Sequence, residues 1–350
     1  MAIAALDEAS FNHDVELLVI DNGSSDNTAE VLAHIEPLNM TLRYLSEPTA
    51  GVCRAKNLGV RNANGEILVF TDDDCQVAPQ YFDDLMRHYA RDNQPVIRGG
   101  RVDLGDPMDA AITVKTDSQR AILTNEQHPG GFVHGCNLTM AKAVFDKIGP
   151  WDERFGPGAE FIAAEDTEMN YRALKSGVMV EYVPDMATRH FHGRRTINSI
   201  AELTRQYQTG NGALLGKYLD KNLGKHLFWY GRNWMREMAG GPLFDECLGI
   251  SHRQIFLCQV SGMIKYWKTT LKSAHISNIL PFEQEAIGVT SAISHEMERK
   301  YGRPHSVARP TCSSDRAADA TLTNPRRQYE NLRHNRKRKA VSCNPDDNRK

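Results

Sequence analysis

Three short apolar runs set the tightest limit on how this chain can fold. Residues 15–20, 42–46 and 66–71 each have strand length, and the first is rich in β-branched side chains. The first stops at Asp21-Asn22-Gly23-Ser24-Ser25-Asp26, a dense turn signal. A helix fits about 27–35, with Asp26 as its N-cap. Residues 51–63 read as a second helix, ended by Asn64-Gly65, and a third follows Pro79 to about Tyr89. Strands alternating with helices predict an α/β fold, a mainly parallel sheet flanked by helices.

The middle of the chain is less regular. A strand is expected within 96–104, turns at Gly130-Gly131 and Gly135, and a short helix over 141–148. Gly156-Pro157-Gly158 is a loop. A helix is expected from about Asp166 to Ser176, closed by Gly177, and a strand over 178–183 that ends at Pro184. From 197 to about 300 the pattern is helical.

Candidate chemistry sits where these elements end. Asp72-Asp73-Asp74 follows the third apolar run at the sheet edge where open α/β sheets bind ligands. Carboxylates one residue apart there either hold Mg²⁺ or Mn²⁺ against phosphate oxygens, or form an acidic turn that caps the next helix. Glu165-Asp166 opens a helix and is either a general base or a cap. His190 and His192 flank Phe191 after a strand. At alternate strand positions they point the same way and could reach a metal; taken singly, each is an ordinary packed or solvated histidine.

These motifs occur in one order with Gly51-Val52-Cys53-Arg54-Ala55-Lys56-Asn57-Leu58-Gly59 between the first and the acidic one. Together they resemble the family-2 inverting glycosyltransferases of the GT-A fold, over roughly residues 6–195. The resemblance implies a GT-A domain over 1–195, with a nucleotide-binding part at 1–105 and an acceptor part at 106–195. A helical C-terminal region at 196–300 and a basic tail at 301–350 follow. It implies nucleotide contacts from Asp21, Asn22, Lys56 and Asn57. It places Asp72 and Asp73 toward the donor sugar, and Asp74 with Asp72 on a Mn²⁺ or Mg²⁺ ion. His190 completes the metal site, with His192 as second choice. Asp166 is the catalytic base and Glu165 its neighbour in the site. The implied reaction is hexosyl transfer with inversion from a nucleoside-diphosphate sugar, UDP-linked or similar, to a saccharide or lipid-linked acceptor. A retained fold that only binds partners, and a nucleotidyltransferase, are the competing readings. The second lacks a glycine-rich phosphate loop near the N-terminus, and no GxGxxG supports a dinucleotide enzyme.

The family also begins with a strand and a Pro-x-Tyr-Asn-type turn before its first helix. Here Met1 falls inside that helix, so a fragment, an internal start or a decayed copy is expected. Losing a central strand exposes backbone groups and apolar surface.

Charge divides the chain. Residues 301–350 carry 12 Lys and Arg against 5 Asp and Glu, whereas the whole chain has a net charge of −2. The tail is therefore expected to be disordered and basic. It suits either anionic lipid or nucleic acid, or simply stays solvated; no nucleic-acid partner is expected for the enzyme. Seven cysteines without a CxxC pair fit reduced thiols and a cytoplasmic setting. No run of 18 apolar residues predicts a membrane span, and Met1–Leu6 does not read as a signal peptide. Aromatic and lysine residues within 228–272 suit an acceptor-side lid, a peripheral contact at the inner membrane face, or an ordinary helical core.

Overall fold

The computed structural model describes residues 1–240 and 249–272, all within the unit Met1–Phe282. The expected basic tail, and residues 241–248 and 273–300 of the expected helical region, lie outside the described residues.

The described elements run α1 (Ala2–Ala9), β1 (Glu16–Asp21), α2 (Thr28–Leu32), β2 (Thr41–Ser46), α3 (Val52–Asn62), β3 (Ile67–Phe70), β4 (Cys75–Val77), α4 (Tyr81–Tyr89), β5 (Val96–Leu104) and β6 (Ala121–Ile122). A 3-10 turn at Gly135–Asn137 leads to β7 (Leu138–Ala141), α5 (Lys142–Ile148), α6 (Glu165–Lys175), β8 (Met179–His190), α7 (Ile197–Tyr218) and α8 (Lys221–Met238). A further helical segment spans 252–272.

The α/β architecture is the expected one, but the strand directions are mixed rather than mainly parallel. β1 and β2 pair in parallel as a separate two-stranded sheet. The larger sheet has the order β3-β7-β5-β8-β4, with β6 also on β8. Only β5 and β8 run parallel in it; β7 is antiparallel to both β3 and β5. β7 reaches its place through the long segment after β5 and not through a crossover helix, so nothing obliges it to run parallel. β8 also continues through Pro184, where a strand end was expected. Its register with β5 jumps from Gly100↔Val183 to Val102↔Thr188. Residues 184–187 thus lie outside that ladder, and the missing proline N–H leaves no partner unpaired.

The main core lies under the larger sheet. Trp151 is fully buried there and meets Phe70 edge-on with ring centres 5.2 Å apart. One buried charge crosses the β5–β8 ladder. Arg98 donates to Glu181 at 2.7 Å and to both oxygens of Asp92 at 2.8 and 2.9 Å. That full set of partners lets a guanidinium stay in the interior. α7 crosses the 252–272 helix at van der Waals distance because glycines face each other's backbone. A Cβ on Gly212 would stand 2.0 Å from the Gln259 carbonyl oxygen, and one on Gly262 would stand 2.0 Å from that of Thr209.

Candidate active site

The site grows from the turn after β3. Cys75 N–H donates to the Asp72 carbonyl at 3.2 Å, folding Asp72-Asp73-Asp74 into a tight bend before β4. β4 pairs antiparallel with the end of β8, setting Cys75 opposite His190. Phe191 N–H donates to the Asp74 carbonyl at 2.9 Å. Two segments over a hundred residues apart are thereby fixed side by side, and His190 Nε2 stands 3.3 Å from Asp74 Oδ2. The other ring nitrogen faces Thr113 Oγ1 at 3.4 Å.

The electrostatics follow from this pairing. The hydrogen bond from His190 holds the Asp74 carboxyl below its ordinary range. Burial pulls the His190 imidazole down, but Asp74 and then Asp72 outweigh it, so His190 is raised. Asp72 is pushed up by burial against the pull of Lys56. Among the described residues, Asp74, Cys75 and His190 place one ligand atom each within 4.8 Å of one another. The carboxylate and the imidazole suit a divalent cation, whereas the hydrogen bond with Cys136 and burial push the Cys75 thiol far up and keep it protonated.

α3 brings a cation to this group. Lys56 Nζ lies 3.9 Å from Glu165 Oε1 and 4.7 Å from the centre of the Trp151 ring. Burial would lower its pKa, but the charges of Glu165, Asp72 and Asp166 raise it overall.

α6 supplies the two carboxylates. Ala164, in the left-handed region at φ +72°, turns the chain into the helix. Glu165 and Asp166 follow as its first residues. Glu165 is raised to about 7 by burial and by the neighbouring Asp166, with Lys56 opposing. Asp166 Oδ1 accepts from the Thr167 N–H at 2.6 Å, and Oδ2 accepts from the Gly135 N–H at 3.1 Å. Gly156, at φ +92°, passes so close that a Cβ there would stand 3.2 Å from the Glu165 carboxyl.

The expected residues thus fall into groups. Asp72, Asp74, His190, Lys56, Glu165 and Asp166 converge from four segments. Asp73 is exposed on the bend. His192 packs beside His190, with ring centres 5.3 Å apart, but its nitrogens are engaged elsewhere: Nε2 faces the Ala110 carbonyl at 3.1 Å and Nδ1 accepts from the Arg194 N–H at 3.1 Å. β8 ends at His190, so strand alternation does not carry to His192. Asn57 is buried and spends its amide on the Trp151 backbone, at 3.0 Å from Nδ2 and 2.9 Å to Oδ1. Asn22 donates to the Glu47 and Thr49 carbonyls at 2.9 and 2.7 Å and accepts from Gly51 N–H at 2.8 Å. Both asparagines brace the loops flanking α3. Asp21 accepts from Ser24 N–H at 2.8 Å and Tyr44 OH at 2.7 Å, which hold it below its ordinary range.

Sequence reasoning missed several neighbours. Glu168, one turn below Glu165, is buried and accepts from Lys217 and Tyr218 at 2.6 Å each and from Arg172 at 3.1 Å. Lys217 also reaches Asp152 at 2.9 Å. α6 is therefore tied to α7 and to the loop bearing Trp151. The i,i+4 spacing of Glu168 and Arg172 was the only sequence signal for this network. Tyr207 on α7 has its hydroxyl pKa raised by burial and by the charge of Asp166, and no motif marks it.

Residues 3–149 match the model of the family described as "Glycosyl transferase family 2". The Haloferax volcanii glycosyltransferase AglE is 24% identical over 208 residues, covering 59% of this chain and 65% of that protein. The Shigella flexneri dTDP-rhamnosyl transferase RfbF is 23% identical over 214 residues, covering 57% and 70%. This chain thus spans about two thirds of the length of these relatives. Among solved structures, S. aureus TarS 1–349 in complex with UDP is similar at a TM-score of 0.44 and 15% identity, covering 64% of this chain and 67% of that one. The similarity to glycosyl transferase family 2 thus lies in residues 3–149, under half of the chain.

Proposed function

We propose that the chain transfers a sugar from a nucleoside-diphosphate donor to an acceptor hydroxyl, with inversion at the anomeric carbon. The observation that carries this reading is the meeting of Asp72, Asp74 and His190 with Lys56, Glu165 and Asp166 across one site. Asp74 and His190, with Asp72 beside them, would hold Mn²⁺ or Mg²⁺, which when bound neutralises charge on the departing diphosphate. Lys56 adds a fixed positive charge on the same side. Asp166 is held by two backbone N–H groups and has the role of base, taking the acceptor hydroxyl's proton as it attacks. Glu165, paired with Lys56, keeps that lysine oriented. Direct displacement of this kind inverts the centre. The match of residues 3–149 to the family model and the name of the dTDP-rhamnosyl relative support a nucleotide-sugar donor. A saccharide or lipid-linked acceptor, and action at the cytoplasmic side, complete the proposal.

The test is turnover and donor affinity of Asp166→Asn and Glu165→Gln. Asp166→Asn is expected to cut turnover by about two to four orders of magnitude at nearly unchanged donor affinity. Glu165→Gln is expected to cost less. An active Asp166→Asn beside an inert Glu165→Gln would move the base to the other carboxylate.

A further inference from the structure

The two last described helices carry a charge opposite to the rest of the fold. Residues 1–220 hold 20 Lys and Arg against 32 Asp and Glu, whereas residues 221–272 hold 8 against 3. The basic residues of α8 are not scattered. At 100° per residue, Met235, Phe228, Arg232, Lys225, Arg236 and Trp229 fall in that order within an arc of about 120°. All six are exposed. Phe228 is 72% and Met235 59% exposed, far more than large apolar side chains need to be on a helix that already has a packed face. That packed face is on the other side, where Leu223 and Leu227 meet the α7 cluster and Tyr230 packs beside Ile250 and Ile255. The single acidic residue of α8, Glu237, lies off the arc and is bound to His252.

We propose that this face of α8 is a docking surface for an anionic lipid bilayer. The helix lies in the plane of the headgroups, with Phe228, Trp229 and Met235 entering the acyl boundary and Lys225, Arg232 and Arg236 meeting lipid phosphates. Large apolar side chains interleaved with cations, and no anion among them, is the composition that binds such an interface. A nucleic acid would use the cations but give Phe228 and Met235 no apolar partner. The helix lies on the membrane and does not cross it: among the described residues no helix is long and apolar enough to span. The surface is next to the site. Asn222 of α8 binds the Asn125 carbonyl and His226 meets His128 at a tilt, ring centres 4.4 Å apart, in the loop that leads to Gly135, whose N–H binds Asp166.

The experiment is co-sedimentation of the full chain with vesicles of phosphatidylcholine alone and with about one third phosphatidylglycerol, at low and high salt. No sugar transfer is measured, so the result is independent of the reaction proposed above. Binding is expected only to the anionic vesicles, weakening as salt rises. The triple variant Lys225→Gln/Arg232→Gln/Arg236→Gln is expected to bind roughly a hundredfold more weakly, at about fivefold per residue. Phe228→Ser is expected to weaken binding while keeping the salt dependence, and Trp229→Phe to remove most of the quenching by brominated lipid. All these positions are exposed, and equal melting temperatures check the fold; should Phe228→Ser melt early, the triple variant decides. Parent-like binding by the triple variant overturns the proposal, because the basic residues beyond 300 are intact in it. So do unchanged Trp229 quenching, no vesicle binding by the parent, or binding to an RNA oligonucleotide in its place.

Discussion

Lys56 is the counterion on which the acidic wall depends, and Lys56→Met isolates that role. The side chains of Lys56 and Glu165 are 10% and 16% exposed at 3.9 Å. At an effective dielectric near 20, two unit charges at that distance attract by about 4 kcal/mol. Removing one partner of such a pair costs about 3–5 kcal/mol, because the other charge stays buried. Methionine keeps most of the contact with Trp151, so the loss is electrostatic and not a cavity. A deficit of this size lowers Tm by on the order of 10 °C in a unit this large. It also acquires a pH signature. Glu165 already stands at about 7 and Asp72 above its ordinary value. Without Lys56 both rise further. A carboxyl raised in the folded state gives stability below its unfolded pKa that is lost as pH rises through the folded one. The deficit is therefore expected to be largest near pH 8.5 and to shrink toward pH 5.5, where the carboxyls bind protons. Thermal unfolding of parent and variant at both pH values reads this directly. An equal deficit at the two pH values would make the lysine a packing element over Trp151, and no deficit at pH 8.5 would refute the counterion assignment.

Other outcomes follow from the same geometry. His128 is held to about 4 by burial beside His226, whose ring centre is 4.4 Å away. A histidine depressed in the folded state gives stability that is full above its unfolded pKa and lost as pH falls from about 6.5 toward 4. The loss is up to about 3 kcal/mol, and His128→Phe should flatten the acid limb of a Tm–pH curve. Gly212→Ala forces apart α7 and the 252–272 helix and is expected to lower Tm by several degrees, where Gly224→Ala, also helical but with its Cβ position 4.0 Å from Leu215 Cδ1, costs little. In native-state hydrogen exchange the β1 and β2 amides are expected to exchange well before those of β5 and β8, since a two-stranded pair is marginal alone; equal protection would show the small sheet to be as firmly held as the large one.

Much of the site was legible because its parts are local signals. An apolar run entering Asp72-Asp73-Asp74 needs only a strand and a bend, and Glu165-Asp166 needs only a helix start after a glycine loop. What stayed hidden depends on contacts distant in sequence. β4 and β7 are three and four residues long, too short for a periodic pattern, and their antiparallel pairings are set by partners elsewhere in the chain. Pro184 argued for a strand end because the register jump that takes 184–187 out of the ladder shows only against β5, a partner distant in sequence. His190 and His192 looked equivalent until the end of β8 separated them. Asn22 and Asn57 carry polar groups in plausible places, yet each amide is consumed by backbone, which no motif reveals. Glu168 reads as a surface carboxylate one turn along α6, and only the arrival of Lys217 and Tyr218 from α7 makes it interior.

The split sheet gives α3 an unusual share of the work. β1 has no ladder to the larger sheet, and all six of its residues are only partly buried. It is held by other means. Leu17 packs into the same cluster as Leu6 and Ala9 of α1 and Ile67 and Val69 of β3. The Glu16 carboxylate accepts from Arg43 at 2.8 Å and from Gly65 N–H at 3.1 Å, clamping β1 to β2 and to the turn after α3. Ile20 faces Gly59 on α3, and Asn22 holds Gly51 at the start of that helix. The same end also reaches the site, since the next residue, Val52, donates its N–H to the Pro157 carbonyl at 2.9 Å. Lys56 lies between this end and the Gly59 contact with Ile20. Its distance to Glu165 is therefore set from both sides: by the loop before α6, and by the small sheet that carries Asp21. A ligand ordering the end of β1 would act on Lys56 through the helix itself, with no hydrogen-bonded strand between the sheets required.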